Sequence, residues 1–252
     1  MNRIKFLNTH IDNITMKEAV DEIDRLISER RTAYVVTPNL DHIVNLESDA
    51  ELAEIYKNAD LVVADGKPLI WISKLNKQPI KEKISGSDLF PNMCGMAAKK
   101  GYSIFILGAA DGVAAQAAKN LINSYPGLQI VGTYSPPIGF EGDEGEMEKI
   151  TNLIHEVHPD ILAVSLGSPK GEKYIYRNLK INHVPLSISI GATIDFEANN
   201  VKRAPKWMAD HGLEWLFRIT QDPKRLTKRY WNDAVKIVPI IWKYRRKGNE
   251  NL

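Results

Sequence analysis

Tyr102-Ser-Ile-Phe-Ile-Leu107 runs directly into Gly108-Ala-Ala-Asp111-Gly112, and a helical pattern follows over 111–124. The first run is continuously apolar instead of alternating, which is the mark of a strand covered on both faces. With a glycine-bearing turn and a helix behind it, the stretch reads as one strand–turn–helix unit. The same unit recurs on either side. Ala33-Tyr-Val-Val-Thr37, Asp60-Leu-Val-Val-Ala64, Gln129-Ile-Val-Gly132, Ile161-Leu-Ala-Val-Ser165 and Leu186-Ser-Ile-Ser-Ile190 are further short β-rich runs. Helical patterns separate them at about 49–58, 66–76, 87–100, 143–158 and 170–180. An earlier helix opens at Thr15 with Glu18 three residues on, a capping box, and carries the stripe Val20, Ile23, Leu26, Ile27. Strand–helix alternation of this kind predicts an α/β fold, a Rossmann-like doubly wound parallel sheet.

The alternation stops after Asp195. From Ala204 onward the sequence offers no strand, only helical segments punctuated by Pro205, Pro223 and Pro239. The expected organisation is a Rossmann-like catalytic core over 1–195 and a helical, basic C-terminal appendage over 196–252. Charge divides in the same way: 201–252 holds 13 Lys and Arg against five acids, whereas the first 200 residues hold 20 against 26. A basic tail on a mildly acidic body calls for an anionic partner, which composition leaves open among nucleic acid, a membrane surface and a phosphorylated substrate. Over Trp231–Lys247 the spacing places Trp231, Val235, Val238, Ile241 and Trp242 on one side of a helix, with Lys236, Lys243 and Lys247 elsewhere. That pattern suits a helix lying in a membrane interface, or an ordinary surface helix docked on the core.

Of the 252 residues, 44% are hydrophobic and 25% charged, enough apolar material for one sizeable core. A single cysteine, Cys94, excludes an internal disulfide framework and fits a reducing compartment, and its apolar helical surroundings predict a buried thiol. The first residues lack the apolar run of a secretory signal, and no run approaches the roughly 20 residues that cross a bilayer. The expected location is the cytoplasm.

In an open parallel sheet ligands bind at the carboxyl ends of strands. Those positions read Thr37-Pro-Asn39, Ala64-Asp65-Gly66, Leu107 to Gly112, Leu166-Gly167-Ser168-Pro169-Lys170 and Gly191-Ala192-Thr193. Gly108 and Gly112 before a helix could cradle a phosphate on backbone N–H groups, or serve turn geometry alone. Asp65, directly after an apolar run, could be a general base with a raised pKa, or the N-cap of the next helix. His155 and His158 have a metal-like spacing on a helix rich in acids, where a solvated face is the better reading. The chain has no Asp-x-Asp to hold a divalent ion on a nucleotide diphosphate, no Gly-x-Ser-x-Gly and no P-loop.

Taken in order, several segments resemble the WecG/TagA/CpsF glycosyltransferase family. They are Thr37-Pro-Asn-Leu-Asp-His42, Ala59-Asp-Leu-Val-Val-Ala-Asp-Gly-Lys-Pro68, Gly86-Ser-Asp88, Leu107-Gly108, Tyr125 to Gly132 and Gly167-Ser-Pro-Lys170. Gly191-Ala-Thr-Ile-Asp-Phe196, Arg203-Ala-Pro-Lys-Trp207, Gly212 to Arg218, Asp222 to Leu226 and Arg229-Tyr230 continue the series. The resemblance spans about residues 8 to 235. It implies an inverting, metal-independent transfer from a UDP-sugar, N-acetylmannosamine as the first choice, onto undecaprenyl-diphosphate-linked N-acetylglucosamine, in wall teichoic acid or a related surface polysaccharide. It makes Asp65 the base and places Thr37 and Asn39 in the substrate pocket. Gly108, Gly167 and Lys170, at strand ends inside matching motifs, join the expected substrate-binding set, as does Lys83. The appendage is expected to complete the site and to hold the chain as a peripheral protein on the anionic inner face of the bacterial membrane. No cofactor, metal or nucleic acid is expected, and a homo-oligomer is allowed.

Inversion needs one carboxylate to take the acceptor proton, and the leaving diphosphate needs cations. Without Asp-x-Asp those fall to Arg218, Arg225, Lys228 and Arg229, each of which could equally contact lipid headgroups. The chain departs from the family pattern at Gly171, where glutamine is usual, at Lys83, where arginine is common, and at Asn200, where glycine is frequent. These changes put the donor sugar in doubt. Two other classes compete. A nicotinamide or flavin enzyme needs Gly-x-Gly-x-x-Gly after the first strand, where Thr37-Pro-Asn39 stands instead. A non-enzymatic membrane- or nucleic-acid-binding module explains the tail but not the ordered strand-end motifs.

Overall fold

The computed structural model describes residues 2–249, apart from the side chains of Lys206, Asp210, Arg225 and residues 246–249. The chain opens with an antiparallel hairpin, β1 (Arg3–Phe6) and β2 (Thr9–Asp12), then α1 (Met16–Ser28) and β3 (Ala33–Val36). Next come α2 (Leu40–Asn45), α3 (Ala50–Asn58), β4 (Leu61–Val62), α4 (Lys67–Leu75), α5 (Gly86–Lys100), β5 (Ser103–Gly108) and α6 (Val113–Ser124). β6 (Gln129–Tyr134), a 3-10 turn at Phe140–Gly142, α7 (Glu144–Val157), β7 (Ile161–Ser165), α8 (Lys170–Asn182) and β8 (Leu186–Ser189) complete the strand-bearing part. Only helices follow: α9 (Thr193–Glu197), α10 (Lys206–Asp210), α11 (Glu214–Gln221) and α12 (Pro223–Asn249).

Six strands form one parallel sheet in the order β4-β3-β8-β7-β5-β6, as the alternation of apolar runs and helices predicts. Its helices cover both faces. Ile23 of α1, Phe90 of α5 and Leu121 of α6 pack on one side. Leu52 of α3, Ile154 of α7 and Ile175 of α8 pack on the other, joined by Ile237 and Ile240 of α12. The capping box at Thr15 is formed, with the Thr15 side chain accepting from the Glu18 N–H and Glu18 accepting from the Thr15 N–H at 2.7 Å. Cys94 is fully buried and burial pushes its thiol pKa up, as its apolar surroundings predict.

Connections diverge between β5 and β7. β5 leads outward to β6 through α6 on one face, and β7 leads back to β8 through α8 on the other. Their carboxyl ends therefore splay into the crevice that such a switch point creates. Gly108 sits there at φ 108°, and a Cβ on it would lie 2.4 Å from the Ser165 carbonyl oxygen, so only glycine lets the two strand ends meet.

The structure departs from the sequence reading in several places, the short helix α2 among them. The hairpin β1–β2 was not anticipated, because its register is set by a polar pair. Arg3 donates from Nε and Nη2 to the Asp12 carboxylate at 2.8 Å, and Asp12 also accepts the Val62 N–H at 2.9 Å, so the hairpin is stitched to the sheet edge. The run expected over 60–64 is a strand only at Leu61–Val62. The chain nevertheless continues beside β3, with the Asp65 N–H donating to the Pro38 carbonyl at 2.8 Å. On α12, Trp231, Val235, Val238 and Trp242 are exposed together, but Ile241 is not part of that face and packs inward with Ile237 and Ile240. Its placement follows from the helix having an inward stripe of its own, Leu226, Asp233, Ile237 and Ile240.

Candidate functional site

Asp65 follows β4 at the carboxyl edge of the sheet. Helix α4 behind it starts at Lys67 with Gly66 as its N-cap and no side-chain cap bond, so Asp65 is not held as a cap. Its half-buried carboxylate takes no hydrogen bond from the described residues and faces a cleft of about 270 Å³. Burial pushes its pKa up to about 6; the Arg218 and Lys83 charges oppose that rise and Glu214 adds to it. A carboxyl that is ionised near neutral pH but still basic is what proton abstraction requires.

The cleft is walled on one side by the core and on the other by the C-terminal helices. Asn39, Asp41, Asp65 and Lys67 come from the core; Glu214, Trp215 and Arg218 from α11; Arg229, Tyr230 and Asp233 from α12. Gly212 lets the two walls approach, since a Cβ there would lie 2.9 Å from Lys67 Cβ. Trp215 and Tyr230 meet edge to face at 6.1 Å, and Arg218 and Arg229 lie over the rings of Phe196 and Tyr230 at 5.5 and 5.2 Å. Arg218 and Arg229 thus bring two fixed cations to a site that otherwise holds Lys67 and the acids Asp41, Asp65, Glu214 and Asp233.

Lys83 is largely buried beside them, with its Nζ 3.1 Å from Asp88 and 3.5 Å from Glu214. Burial alone would lower its pKa, but the Asp88 and Glu214 charges outweigh it and hold the ammonium above its ordinary value. Thr37, at the end of β3, faces Gly86 at the start of α5; a Cβ on Gly86 would be 3.4 Å from its hydroxyl.

Neither Thr37 nor Lys83 is among the residues that line the cleft, and the remaining expected residues lie elsewhere. Gly108 and Gly167, both with positive φ, sit at the β5/β7 crevice and not in the wall of the Asp65 cleft. Lys170 opens α8, is paired with Glu141 and stands 5.9 Å over the Phe140 ring. Lys228 is exposed on α12, and the Arg225 side chain lies outside the described residues. His158 is the left-handed C-cap of α7, while His155 Nε2 lies 2.8 Å from the Ile181 carbonyl. A larger cavity, about 520 Å³ near Lys5, Ser73 and Tyr244, contains none of the expected residues.

Sequence reasoning gave no site role to two groups. Asp233 is only 3% exposed, lines the cleft and leaves its Oδ2 without a partner among the described residues, as does Arg229 Nε. Burial and the neighbouring Asp41 charge push Asp233 up to about 6 against the pull of Arg229. The signal was present: an acid inside the inward stripe of an amphipathic helix. Behind Asn39, His42 and Glu172 form a buried pair with Nε2 and Oε1 3.3 Å apart. No spacing rule links a residue of α2 to one of α8, so only the fold reveals it.

Two curated proteins resemble the chain from end to end. One, from Bacillus spizizenii, is 27% identical over 246 residues, covering 98% of this chain and 91% of the relative. Another, from Bacillus subtilis, is 26% identical over 226 residues, covering 89% and 84%. Both are named N-acetylglucosaminyldiphosphoundecaprenol N-acetyl-beta-D-mannosaminyltransferase. The glycosyl transferase WecG/TagA/CpsF family model matches residues 4–251, which takes in the sheet, the cleft and its helical wall alike, and the chain belongs to that family.

Proposed function

We propose that the chain is an inverting hexosaminyltransferase that moves N-acetylmannosamine from UDP onto undecaprenyl-diphosphate-linked N-acetylglucosamine, in the synthesis of wall teichoic acid or a related surface polysaccharide. The observation that carries this reading is Asp65: a bare, partly buried carboxylate raised to about 6, facing a cleft lined by Arg218 and Arg229. Asp65 takes the proton of the acceptor hydroxyl as that oxygen attacks the anomeric carbon, and the bond from that carbon to the diphosphate oxygen breaks on the opposite face. Negative charge builds on the departing diphosphate, where Arg218, Arg229 and Lys83 provide compensation without a bound divalent ion.

The acceptor is embedded in a bilayer, so the cleft must reach one. Trp231, Val235, Val238 and Trp242 form an exposed apolar stripe on α12, the helix that also brings Arg229 and Asp233 to the cleft. Apolar residues on a basic helix suit the inner face of an anionic membrane. Among the described residues no helix is long and apolar enough to cross a membrane.

A different UDP-sugar donor is the second reading, prompted by Gly171, which stands where the family usually carries glutamine. A side chain there would begin 2.9 Å from Ser189 Oγ, so in this chain Ser189 fills the space that a larger residue would need. The test is a donor panel with lipid-linked N-acetylglucosamine as acceptor. Product from UDP-N-acetylmannosamine alone supports the first reading, product from another donor the second, and none from any donor rejects both.

A further inference from the structure

Asn39 Oδ1 lies 2.7 Å from His42 Nδ1, while the Asn39 backbone N–H points at the same ring nitrogen from 3.2 Å. Both contacts cannot be good at once. If Nδ1 carries a proton, it donates to Asn39 Oδ1, which also accepts the His42 N–H at 3.4 Å; the backbone N–H of Asn39 is then left facing a donor. If Nδ1 is bare, it accepts that backbone N–H, and the Asn39 amide must turn so that Nδ2 donates to the ring. The two arrangements present opposite ends of the amide to the cleft that Asn39 lines: the NH₂ donor in the first, the carbonyl acceptor in the second.

The other ring nitrogen decides between them. His42 Nε2 is 3.3 Å from Glu172 Oε1, which also accepts from Ser189 Oγ at 3.2 Å, and Glu172 is only 3% exposed. Glu172 Oε2 is buried with no hydrogen-bond partner among the described residues, so the strongest compensation available to this carboxylate is a positive ring beside it. The geometry points to the buried Glu172–His42 pair as a positioning device that keeps His42 doubly protonated and thereby turns the Asn39 NH₂ toward the cleft, as a donor for a substrate oxygen. Every charged neighbour favours the same state. Burial opposes the ring charge, but Glu172, Asp41 and Asp65 together raise the His42 pKa, and Tyr56, the aromatic neighbour at 6.2 Å, is itself held neutral by burial. Asn39 Nδ2 takes no partner among the described residues, which leaves it available to a ligand.

The inference rests on the reading of this cleft as the substrate pocket, and its test separates the two. Long-range proton–nitrogen spectra of the histidine-labelled full-length protein, with His42 assigned by its loss in His42→Gln, should show both ring nitrogens protonated at pH 7. Glu172→Gln should leave one nitrogen bare at the same pH. A bare Nδ1 in the wild-type protein overturns the assignment, and this spectrum needs no turnover; the His42→Gln variant serves only to identify the signal. In the transferase assay, Asn39→Ala should raise the KM of the substrate it contacts by about tenfold, the worth of one good hydrogen bond, with kcat little changed. Glu172→Gln should raise the same KM by a similar factor, and the double variant should add nothing. Additive losses, or a fall in kcat alone, would make the pair a structural element and overturn the proposal. If no donor supports turnover, the transferase reading fails while the spectrum still decides the relay.

Discussion

Replacing Asp65 with Asn keeps the size and polarity of the side chain and removes only its capacity to accept a proton. A positioned general base contributes about 10²- to 10⁴-fold, so turnover should fall by that factor while nucleotide affinity changes far less. The pH dependence follows from the pKa of about 6, which burial raises and the Arg218 and Lys83 charges restrain. The active form is the ionised one, so activity should rise with pH through about 6 and then level. About nine-tenths of the carboxyl is ionised at pH 7 and about one-tenth at pH 5, so the acid limb should cost about tenfold between them. Arg218→Gln removes the largest opposing charge, so the limb should move to higher pH in that variant. Initial rates of UDP release at limiting substrate, followed from about pH 5 to about pH 8, read the acid limb of the free protein, and rates at saturation read the loss of turnover. The N-cap reading makes a different forecast, because Asn caps about as well as Asp and would leave rate and stability unchanged. A variant retaining more than about a third of wild-type turnover would refute the base assignment, as would an acid limb identical in Asp65→Asn and wild type.

Other outcomes follow from single contacts. Asp233 has its folded-state pKa raised to about 6 from an unfolded value near 4, so the wild type loses stability as pH rises through that window; Asp233→Asn should melt higher than wild type at pH 8, with the advantage shrinking toward pH 4, and a variant that melts lower at both would refute the buried-acid account. Gly108→Ala should destabilise by at least about 1–3 kcal/mol in denaturant unfolding, because its φ is 108° and the added methyl meets the Ser165 carbonyl. Turnover should survive excess EDTA if Arg218, Arg229 and Lys83 carry the diphosphate; full loss restored by Mg²⁺ would count against that. Replacing Trp231 and Trp242 by Gln should weaken binding to anionic vesicles at fixed salt, and unchanged binding would remove the exposed stripe from the membrane contact.

The sheet was legible because all its strands but the edge strand β6 are buried on both faces, and double burial leaves short continuous apolar runs between helical patterns. The hairpin was not, because it is held by the Arg3–Asp12 pair and a bond to Val62, none of which alters hydropathy. Asp65 was legible as an acid placed where a strand must end, and the N-cap alternative fell only once Gly66 was seen to take the cap. The inward face of α12 was misread in part because two apolar stripes share that helix. Trp residues mark the outer one, while the inner one contains an acid and so looked broken. The Glu172–His42 pair joins two helices far apart in sequence, and nothing short of the strand order brings β8 beside β3, Ser189 beside Glu172, or α8 behind Asn39.

The cleft's electrostatics explain why its two walls come from opposite ends of the chain. The core contributes Asp41 and Asp65 against Lys67, a wall whose balance of charge is acidic and by itself disfavours a nucleotide diphosphate. Arg218 and Arg229 arrive on helices in the basic part of the chain, each with its guanidinium over an aromatic ring and, among the described residues, in no ion pair with an acid of the core. Stacking fixes the cation without neutralising it, so its charge stays available to a phosphate. Asp65 feels the same arrangement: Arg218 lowers its pKa enough to keep the base ionised at neutral pH, while burial keeps it basic enough to accept a proton. A diphosphate bound against Arg218 would offset part of that charge and raise the basicity of Asp65 further, so donor binding itself would sharpen the base for the acceptor that follows.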